Sequence, residues 1–407
     1  MLINIALLAV ILLSLYTAAR LLKVFEFSAI LRGRKPYEVT PAENNTNAFL
    51  LLLSLFGMFT MFIYLTAKYF TPEYQLPVSA SEHGKAVDDL LMLNFYVITL
   101  AFFLTQTLLL WFAYKYRYNK NRRATHYAHN NKLELVWTLI PALVMAVLVL
   151  KGLLVWNDTT ERNPNAMVVE LYARQFDWTA RYAGSDNTLG TANYTMINDA
   201  NILGLITEGT VNEQIARIRK DSADVRDVID NKFPNDSLLK DQNIRLRRMT
   251  HQLRVLYQFQ EDFENAQGGQ YATVEDDIVV RDTIYLPKGV PVTLEMRSQD
   301  VIHSAYMPHF RVHMYCVPGS KTYFNFTPVI TTSEMRGITG KKDFEYWLYC
   351  NNICGATHFN MMMPIRILEK EEYDAWVASK TTFGTETRDR LAGTPFAPQQ
   401  PIASRLQ

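Results

Sequence analysis

The chain has 407 residues, of which 49% are hydrophobic and 20% are charged, and its formal net charge at pH 7 is +1. It lacks the basic stripe that nucleic-acid-binding proteins carry, so we expect no nucleic-acid partner. Its three cysteines are too few for a disulfide framework, and without a CxxCH motif the chain attaches no c-type haem.

Four apolar runs in the first part of the chain are each long enough to cross a bilayer. They read INIALLAVILLSLYTAARLL, AFLLLLSLFGMFTMFIYLTA, LLMLNFYVITLAFFLTQTLLLWFAY and LELVWTLIPALVMAVLVLKGLLVW. The pattern predicts four transmembrane helices: one in segment 1–46, one in segment 47–87 and a pair in segment 88–156. A cleaved signal peptide is the alternative for the first run, but Arg20 and Lys23 follow it, whereas a signal peptide carries its positive charges in front.

Basic residues in the loops between these runs predict the orientation of the chain. The first loop carries Lys23, Arg32, Arg34 and Lys35, and the third carries Lys115, Arg117, Lys120, Arg122, Arg123 and Lys132. Because positively charged loops stay cytoplasmic, we expect a multi-pass protein of a bacterial inner membrane. Its N-terminus and the domain after the fourth run would face the periplasm. The basic run 115–123 is expected to face lipid headgroups, so membrane lipid is a predicted partner.

The residues after the fourth run predict a β-rich outer domain over 157–380. Segments such as MVVELYARQFDWTARYA and DIVVRDTIYLPKGVPVTLEMRS are rich in β-branched and aromatic residues, and Pro-Lys-Gly and Pro-Gly turns punctuate them. Apolar residues at helical spacing predict a helical hairpin inserted over 186–270. The tail 381–407 is rich in Pro, Gly, Gln and Thr, and we expect it to be irregular or disordered.

The stretch YWLYCNNICGATHFNMMMPIRI gathers soft metal donors at close spacing. Cys350, Cys354, His358 and Met361 form a C-x3-C-x3-H-x2-M pattern, and thiolate, imidazole and thioether ligands together favour copper. Candidates for a further donor lie upstream at His303, His309 and His313. Each residue alone could be a packed cysteine or a surface histidine. Zinc would use the Cys and His donors but would not select the methionine, and a mononuclear blue-copper site uses one cysteine only.

Several motifs in the same order resemble subunit II of haem-copper cytochrome c oxidase. They are HNNKLELVWTLIPAL, ARQFDWTARY, IYLPKGVPV, DVIHSAYMPHFRVHM, VPG and the Cys/His/Met cluster. The resemblance covers about 90–368 apart from the insertion. It implies a cupredoxin-like β-sandwich that carries a binuclear copper centre, CuA, behind the transmembrane hairpin of segment 88–156. The first two spans and the helical insertion are additions to that family pattern.

The resemblance also implies the ligand set of two copper ions. Cys350 and Cys354 would bridge the two coppers, and His303 and His358 would each bind one of them. Met361 would bind weakly, and the backbone carbonyl of Asn352 would be the sixth donor.

By the same resemblance, the centre accepts electrons from a cytochrome c donor outside the membrane. It passes them to haem in subunit I, where dioxygen is reduced to water and protons are pumped with the help of other oxidase subunits. This chain lacks the histidine-bearing spans that haem ligation needs, so we expect no haem in it. Glu134 corresponds to the mouth of a proton path into subunit I, with an interfacial carboxylate as the alternative.

The chain departs from the family pattern near the expected electron input. Phe176 stands where the family has the tryptophan that admits electrons, and Trp178 follows it. Tyr315 replaces an acid of the usual docking patch, and Asn352 replaces a glutamate that reaches a magnesium site. Cys316 is expected to be a packed small side chain. We therefore expect a donor cytochrome domain held in a stable assembly, such as a supercomplex, rather than one captured by long-range electrostatics.

Two other functions remain open at this stage. A quinol-oxidising relative would have lost its copper, and the intact donor set argues against that function. An electron-input subunit of a nitric oxide reductase would carry the same centre. The sequence separates that second function poorly, because the terminal chemistry lies in the partner subunit.

Overall fold

The computed structural model describes most of the chain, in eight stretches. These are residues 2–33, 40–70, 76–119, 121–123, 125–161, 163–231, 235–265 and 267–396. The chain divides into two compact units. One is formed by Met1–Tyr74 and Asn94–Thr138, and the other by Gln75–Leu93 and Leu139–Gln407.

Four long helices form in the apolar part of the chain. They are α1 (Leu2–Leu31), α2 (Pro41–Tyr69), α3 (Gly84–Lys115) and α4 (Asn131–Thr160). Among the described residues, α2, α3 and α4 are long and apolar enough to span a membrane. The sequence predicts four spans and the structure gives three: the run in segment 1–46 does form a helix, but several of its side chains lie outside the described set.

In the described part of the chain, ten strands form two five-stranded sheets, which build the β-domain. The strands are β1 (Met167–Arg174), β2 (Asp177–Tyr182), β3 (Ile278–Val280), β4 (Ile284–Pro287), β5 (Val292–Ser298), β6 (His303–Met307), β7 (Val312–Cys316), β8 (Thr322–Phe326), β9 (Tyr346–Cys350) and β10 (Met362–Leu368). One sheet has the order β3-β2-β1-β5-β8, and the other has the order β4-β10-β9-β6-β7. Only the β1–β5 and β4–β10 pairs are parallel among the pairs described.

The core of this domain lies among the inward side chains of both sheets. Leu171 and Leu294 from the first sheet and Leu348 and Ile365 from the second are fully buried in one apolar cluster. Successive strand residues point to opposite faces, so the alternating apolar residues of the sequence supply this cluster. The second sheet carries the strands that bear the predicted metal donors.

The insertion between β2 and β3 contains two helices, α5 (Glu208–Asn231) and α6 (Asp236–Glu264). They pack through a small apolar cluster that includes Ile215, Ile218 and Leu256. Residues 232–234, between the two helices, lie outside the described residues. Asn235 caps α6 by accepting a hydrogen bond from the backbone N–H of Leu238 at 2.9 Å. The insertion therefore has its own core beside that of the sheets.

A buried ionic cluster lies at the base of the insertion. Arg181 donates from Nε to Glu170 at 2.6 Å and from NH1 to Asp277 at 2.9 Å, and all three side chains are buried. The backbone N–H of Gly190 also donates to Asp277, at 3.1 Å. Burial nevertheless raises the pKa of the Asp277 carboxyl to about 7, against the opposing effects of Arg181 and Gly190.

The prediction of an irregular tail over 381–407 is wrong for its first part. After α7 (Thr332–Thr339) and α8 (Lys370–Ala378), the chain forms α9 (Phe383–Leu391), and Phe383 and Leu391 are buried. Arg390 forms two hydrogen bonds, of 2.6 and 2.9 Å, to the Glu213 carboxylate on α5. The polar composition misleads because two apolar side chains and a threonine cap suffice for a short docked helix. Residues 397–407 lie outside the described part.

Candidate metal centre

The predicted donors come together at one end of the second sheet. Cys350 is the last residue of β9, and Met361 directly precedes β10. His358 begins a short 3-10 helix in the loop between these strands. His303 is the first residue of β6, which pairs with β9 so that Ala305 lies opposite Cys350. Neighbouring strands thus bring residues that are distant in sequence to one point.

Each thiol lies beside its own imidazole. Cys350 Sγ is 3.8 Å from His303 Nδ1, and Cys354 Sγ is 3.5 Å from His358 Nδ1. The two sulfur atoms are 3.9 Å apart, and both cysteines are free thiols rather than a disulfide. The arrangement has two halves, each with one thiol and one imidazole.

A further candidate donor lies beside each of the two thiols. Met361 Sδ lies 3.8 Å from Cys354 Sγ. The backbone carbonyl oxygen of Asn352 lies 3.2 Å from Cys350 Sγ, which donates to it. The Asn352 side chain turns elsewhere, because its amide donates to the carbonyl of Ile302 at 2.8 Å. The residue that replaces the family's glutamate therefore offers its carbonyl to the donor cluster while its side chain holds the loop.

The centre is largely shielded from solvent. His303, Met361, Cys354 and Cys350 are 0%, 2%, 5% and 8% exposed, and His358 is half-buried. The ligand atoms of His303 and the two thiols lie within 4.8 Å of one another. Such a buried group of sulfur and nitrogen donors fits a soft or borderline transition metal better than calcium or magnesium.

Asp300 orients the His303 ring, a role that the sequence analysis misses. Its Oδ1 lies 2.8 Å from His303 Nε2, and it also accepts hydrogen bonds from the backbone N–H groups of Gln175 and Val301, each at 2.7 Å. With the Nε2 proton held by the carboxylate, Nδ1 faces Cys350 and is the ring nitrogen that a metal would bind. The sequence contains one indication of this contact, because an acid stands three residues before the histidine in DVIHS.

The two thiols differ in how readily they ionise. Burial opposes ionisation of Cys350, but its polar neighbours, led by His303, lower the pKa of this thiol below its usual value. Burial and the neighbouring Cys350 raise the pKa of the Cys354 thiol. The pair therefore takes one negative charge readily and a second one reluctantly. Bound cations would remove that penalty, so the electrostatics fit a metal site.

The loop that joins β1 to β2 packs against the cysteine loop. The side-chain amide of Gln175 donates to the carbonyl oxygen of Cys354. Gly355 has φ = +142°, and a Cβ at this position would lie 2.9 Å from the ring of Phe176. Only glycine permits both this backbone conformation and this approach. Phe176 is therefore part of the wall that fixes the ligand loop.

Trp178 lies deeper than Phe176. It is 1% exposed, and its ring meets that of His303 edge-on at a centroid distance of 6.4 Å. Its indole nitrogen has no hydrogen-bond partner among the described residues. Phe176 and Trp178 are the two candidates for the electron input: the half-buried Phe176 contacts the cysteine loop, and the buried Trp178 contacts His303, a candidate ligand.

The other histidines of the second sheet stand away from the donor group that the structure brings together. The ring of His309 packs edge-on against Phe344 and Tyr346 at 5.1 and 5.3 Å, and burial lowers the pKa of His309 to about 4. His313 is exposed. Cys316 is fully buried, and burial raises the pKa of this thiol to about 12. Cys316 is therefore a packed side chain, as expected.

Glu134 belongs to the other compact unit. It lies in the first turn of α4, where its carboxylate accepts a hydrogen bond from the backbone N–H of Asn130 at 3.3 Å. The Asn130 side chain in turn accepts from the N–H of Leu133 at 3.1 Å. Glu134 thus helps to cap this helix.

Two family models match the chain. The model described as cytochrome c oxidase subunit II, transmembrane domain, matches residues 70–155. The model described as cytochrome c oxidase subunit II, periplasmic domain, matches residues 249–369. The second match contains every predicted copper donor, and together the two matches span about half of the chain.

Curated relatives are similar over longer stretches. The alternative cytochrome c oxidase subunit 2 of Bradyrhizobium diazoefficiens is 23% identical over 77% of this chain and 86% of its own length. Cytochrome c oxidase subunit 2 of Cereibacter sphaeroides is 20% identical over 74% of this chain and 78% of its own length. The subunit 2 of Alkalihalophilus pseudofirmus is 30% identical, but over only 27% of this chain and 28% of its own length.

Among solved structures, the periplasmic domain of subunit II of cytochrome oxidase from Bradyrhizobium japonicum matches with 13% identity and a TM-score of 0.26. That match covers 53% of this chain and 94% of that one. The curated relatives are oxidase subunits, which favours the oxidase function over the nitric oxide reductase and quinol oxidase alternatives. The matched segments, their order and the copper-type donor set agree: the chain belongs to the cytochrome c oxidase subunit II family, a component of haem-copper terminal oxidases.

Proposed function

We propose that the outer domain holds a binuclear copper centre that receives electrons from a cytochrome c donor. The observation that carries this proposal is the pair of thiols 3.9 Å apart, each beside its own imidazole. Cys350 and Cys354 would bridge two coppers, with His303 and His358 as terminal ligands. Met361 and the carbonyl of Asn352 would complete the two halves. Two thiolate-bridged coppers supply a one-electron acceptor whose charge is shared over both ions.

In this proposal the protein holds the metal donors rigidly and shields them from solvent. His303 and Cys350 lie on β6 and β9, and the loop that carries the other donors ends directly before β10, so the strands limit how far the donors can move. Asp300 fixes the ring of His303, and Gln175 holds the carbonyl of Cys354. A rigid donor set keeps the reorganisation on electron transfer small. Zinc could use the two Cys and two His side chains, but it would leave the buried Met361 thioether without a role.

Copper content and electron paramagnetic resonance of the purified oxidase test the centre. We expect two coppers for this chain and a seven-line hyperfine pattern, because one unpaired electron would be shared by two copper nuclei. One copper with a four-line pattern, or zinc in place of copper, would contradict the proposal.

The donor is proposed to be a cytochrome c or a cytochrome c domain held in a stable assembly, such as a supercomplex. The surface around the centre supports this, because Ile353 and Phe359 in the ligand loop are 85% and 82% exposed and Tyr315 is 49% exposed. Exposed apolar and aromatic side chains suit a partner that buries them. Phe176, in contact with Gly355 of this loop, is the proposed electron input, with Trp178 behind it.

Turnover of the isolated oxidase with soluble cytochrome c across a range of salt concentrations tests the donor proposal. We expect slow oxidation that changes little with salt and rises when a membrane-held donor complex copurifies. Fast oxidation that falls steeply as salt increases would instead show electrostatic capture of a diffusing donor.

The remaining functional proposals concern the rest of the complex. Electrons would pass to haem in subunit I, where dioxygen is reduced to water with proton pumping. Helix α1 would be a fourth span, with the N-terminus and the β-domain on the periplasmic side of a bacterial inner membrane. Glu134 would lie at the mouth of a proton path, so Glu134→Gln should slow turnover while copper reduction stays fast. Equal slowing of both steps would contradict that role.

A further inference from the structure

A polar cavity of about 470 Å³ lies within the unit formed by Met1–Tyr74 and Asn94–Thr138. It is located between the start of α2 and the loop that follows α3. Its lining consists of Pro41, Asn44, Asn45, Lys115, Arg117, Tyr118, Asn119, Asn121 and Arg122. Three of these side chains are cationic, four are amides and none is acidic. The volume falls within the range of small-molecule pockets, roughly 300–1,000 Å³. The lining therefore fits an anion that accepts many hydrogen bonds.

Hydrogen bonds between the two segments build this cavity. Arg117 donates from Nε to Asn45 Oδ1 at 3.1 Å, and the amide of Asn44 donates to the carbonyl of Tyr118 at 2.6 Å. Arg122 donates to the carbonyl of Arg117 at 2.8 Å, which folds the loop back on itself. The two segments are more than 70 residues apart in sequence, so the cavity is a tertiary feature rather than a local turn.

The basic side chains keep donor capacity for a ligand. The Lys115 ammonium lies over the ring of Tyr116, 5.6 Å from its centroid. The described hydrogen bonds that close the loop do not involve this ammonium. Glu43, an acid in the first turn of α2, is not part of the lining, and its carboxylate accepts from the backbone N–H of Thr40 at 2.9 Å. Arginine and lysine together recognise phosphate groups through bidentate and point-charge contacts.

The position of the cavity favours a lipid as the source of that phosphate. Pro41 is the first residue of α2 and Lys115 is the last residue of α3, and both helices are candidate spans. The cavity therefore lies where the apolar parts of two spans end. Tyr114 and Tyr116, next to Lys115, are the kind of aromatic residue that sits at headgroup depth. Basic pockets between spans on the cytoplasmic side bind anionic headgroups.

We propose that this cavity binds the phosphate of an anionic ligand, with the phosphodiester headgroup of an anionic phospholipid as its source. Helix α2 ends at Tyr69, before the segment 70–155 that matches the family's transmembrane domain. One wall of the cavity thus comes from a helix outside the family pattern. The additional helix would create a lipid site at the edge of the transmembrane hairpin.

The test compares two variants of the intact, purified complex that each remove one positive charge from the same loop region. Lys115→Gln removes a lining cation without removing a hydrogen bond that closes the cavity. Arg123→Gln is the matched control, since Arg123 is exposed and does not line the cavity. Binding to phosphatidylcholine vesicles with and without phosphatidylglycerol is measured, and inorganic phosphate is titrated separately.

We expect Lys115→Gln to weaken phosphatidylglycerol binding about fivefold, because it removes a direct contact between a lining ammonium and the headgroup phosphate, a contact that Arg123 outside the lining does not make. Arg123→Gln should bind as the parent does, and Lys115→Arg should restore binding. If Lys115→Gln weakens only inorganic phosphate binding, the cavity is a phosphate site but its source is soluble, and the lipid assignment is overturned. If both Gln variants weaken binding equally, or neither does, the cavity is not the site.

Discussion

The donors of the metal centre are buried within the β-domain, whereas the cations around the cavity at the start of α2 stand largely exposed. His303 and the two thiols are almost completely buried, while Lys115 and Arg122 are open to solvent. A buried polar group without a partner costs free energy, because it loses its hydrogen bonds to water and gains none in return. An exposed cation stays hydrated, so its interactions contribute only modestly to the free energy.

This difference predicts how the two regions respond to substitution. At the metal centre each group positions the next, so one change should have a large effect that spreads through the group. At the cavity several cations act in parallel through solvent, so single changes should give small, graded losses. The predictions that follow test the first half of this comparison, in order of expected effect.

The largest effect is expected for Cys350→Ser. A serine hydroxyl is a harder donor that stays protonated at neutral pH, so the thiolate bridge is lost and the shared-electron spectrum should vanish. Electron input should fall about a hundredfold or more, because members of a concerted group lose most of its function together. The rate of reduction by the cytochrome donor measures this loss.

The matched control is Cys316→Ala, which removes the other buried thiol outside the donor group. It should keep both coppers and their spectrum. An unchanged spectrum in Cys350→Ser, or an equal loss in both variants, would contradict the ligand assignment.

Asp300→Asn should come next. An amide can hold the His303 ring in the wrong tautomer, since it offers an N–H where the carboxylate only accepts. Copper affinity should fall about 10- to 100-fold, the usual effect of removing a group that orients a metal ligand. Competition with a copper chelator measures this affinity. Asp282→Asn, an exposed acid of the same domain, should leave it unchanged, and a similar loss there would point to overall charge.

Gly355→Ala should weaken the centre through its loop. The added methyl group would meet the ring of Phe176 at 2.9 Å, and the positive φ disfavours any side chain. We expect about a tenfold loss of copper affinity, equivalent to about 1.4 kcal/mol. Gly337→Ala is the control, because nothing lies within 4 Å of a methyl group there. If the Gly355 variant binds copper as the parent does, the wall formed by Phe176 is not what fixes the loop.

The last prediction concerns stability rather than copper binding, and it lies at Asp277, a buried acid outside the metal centre. Its pKa in the folded protein, about 7, lies above its ordinary value of 3.8. Its contribution to stability is therefore complete below about pH 4 and is lost as the pH rises through 7. Relative to the parent, Asp277→Asn should gain roughly 3 kcal/mol between pH 5 and pH 8, since each pH unit between the two pKa values changes the stability by about 1.4 kcal/mol.

Thermal unfolding of the purified complex, followed at several pH values, measures that gain. Asp199→Asn changes an exposed acid of the insertion and should show no such trend. Parallel curves for Asp277→Asn and the parent would mean that the buried carboxyl does not titrate in this range.

The structure brings together the candidate donors that the sequence singles out, and they stand out because soft donors are rare. Cys350, Cys354, His358 and Met361 lie close together in the chain, and a core has no reason to place sulfur and imidazole at that spacing. The strands are predictable for a similar reason, since alternating apolar residues face a common interior. The proposed role of Glu134 in proton uptake stays a prediction, and so does the proposed docking surface for the cytochrome.

What the sequence misses depends on contacts between distant segments. Asp300 acquires its role because the loop after β1 donates to it from Gln175, 125 residues earlier. The helix near the C-terminus depends on the burial of Phe383 against other parts of the domain, and the basic cavity depends on Asn44 meeting Tyr118. Composition and spacing describe neighbours along the chain, so they do not predict such meetings.

The pair of hydrogen bonds between Arg390 on α9 and Glu213 on α5 has a consequence for synthesis of the protein. These residues are 177 positions apart, and every proposed copper ligand lies between them. At about 5–20 residues per second, the ribosome needs roughly 9 to 35 seconds to pass from one to the other. During that interval α5 is already made while α9, which docks on it, is not. The insertion must therefore wait for the last part of the chain, and a nascent protein would complete its ligand set before that contact closes.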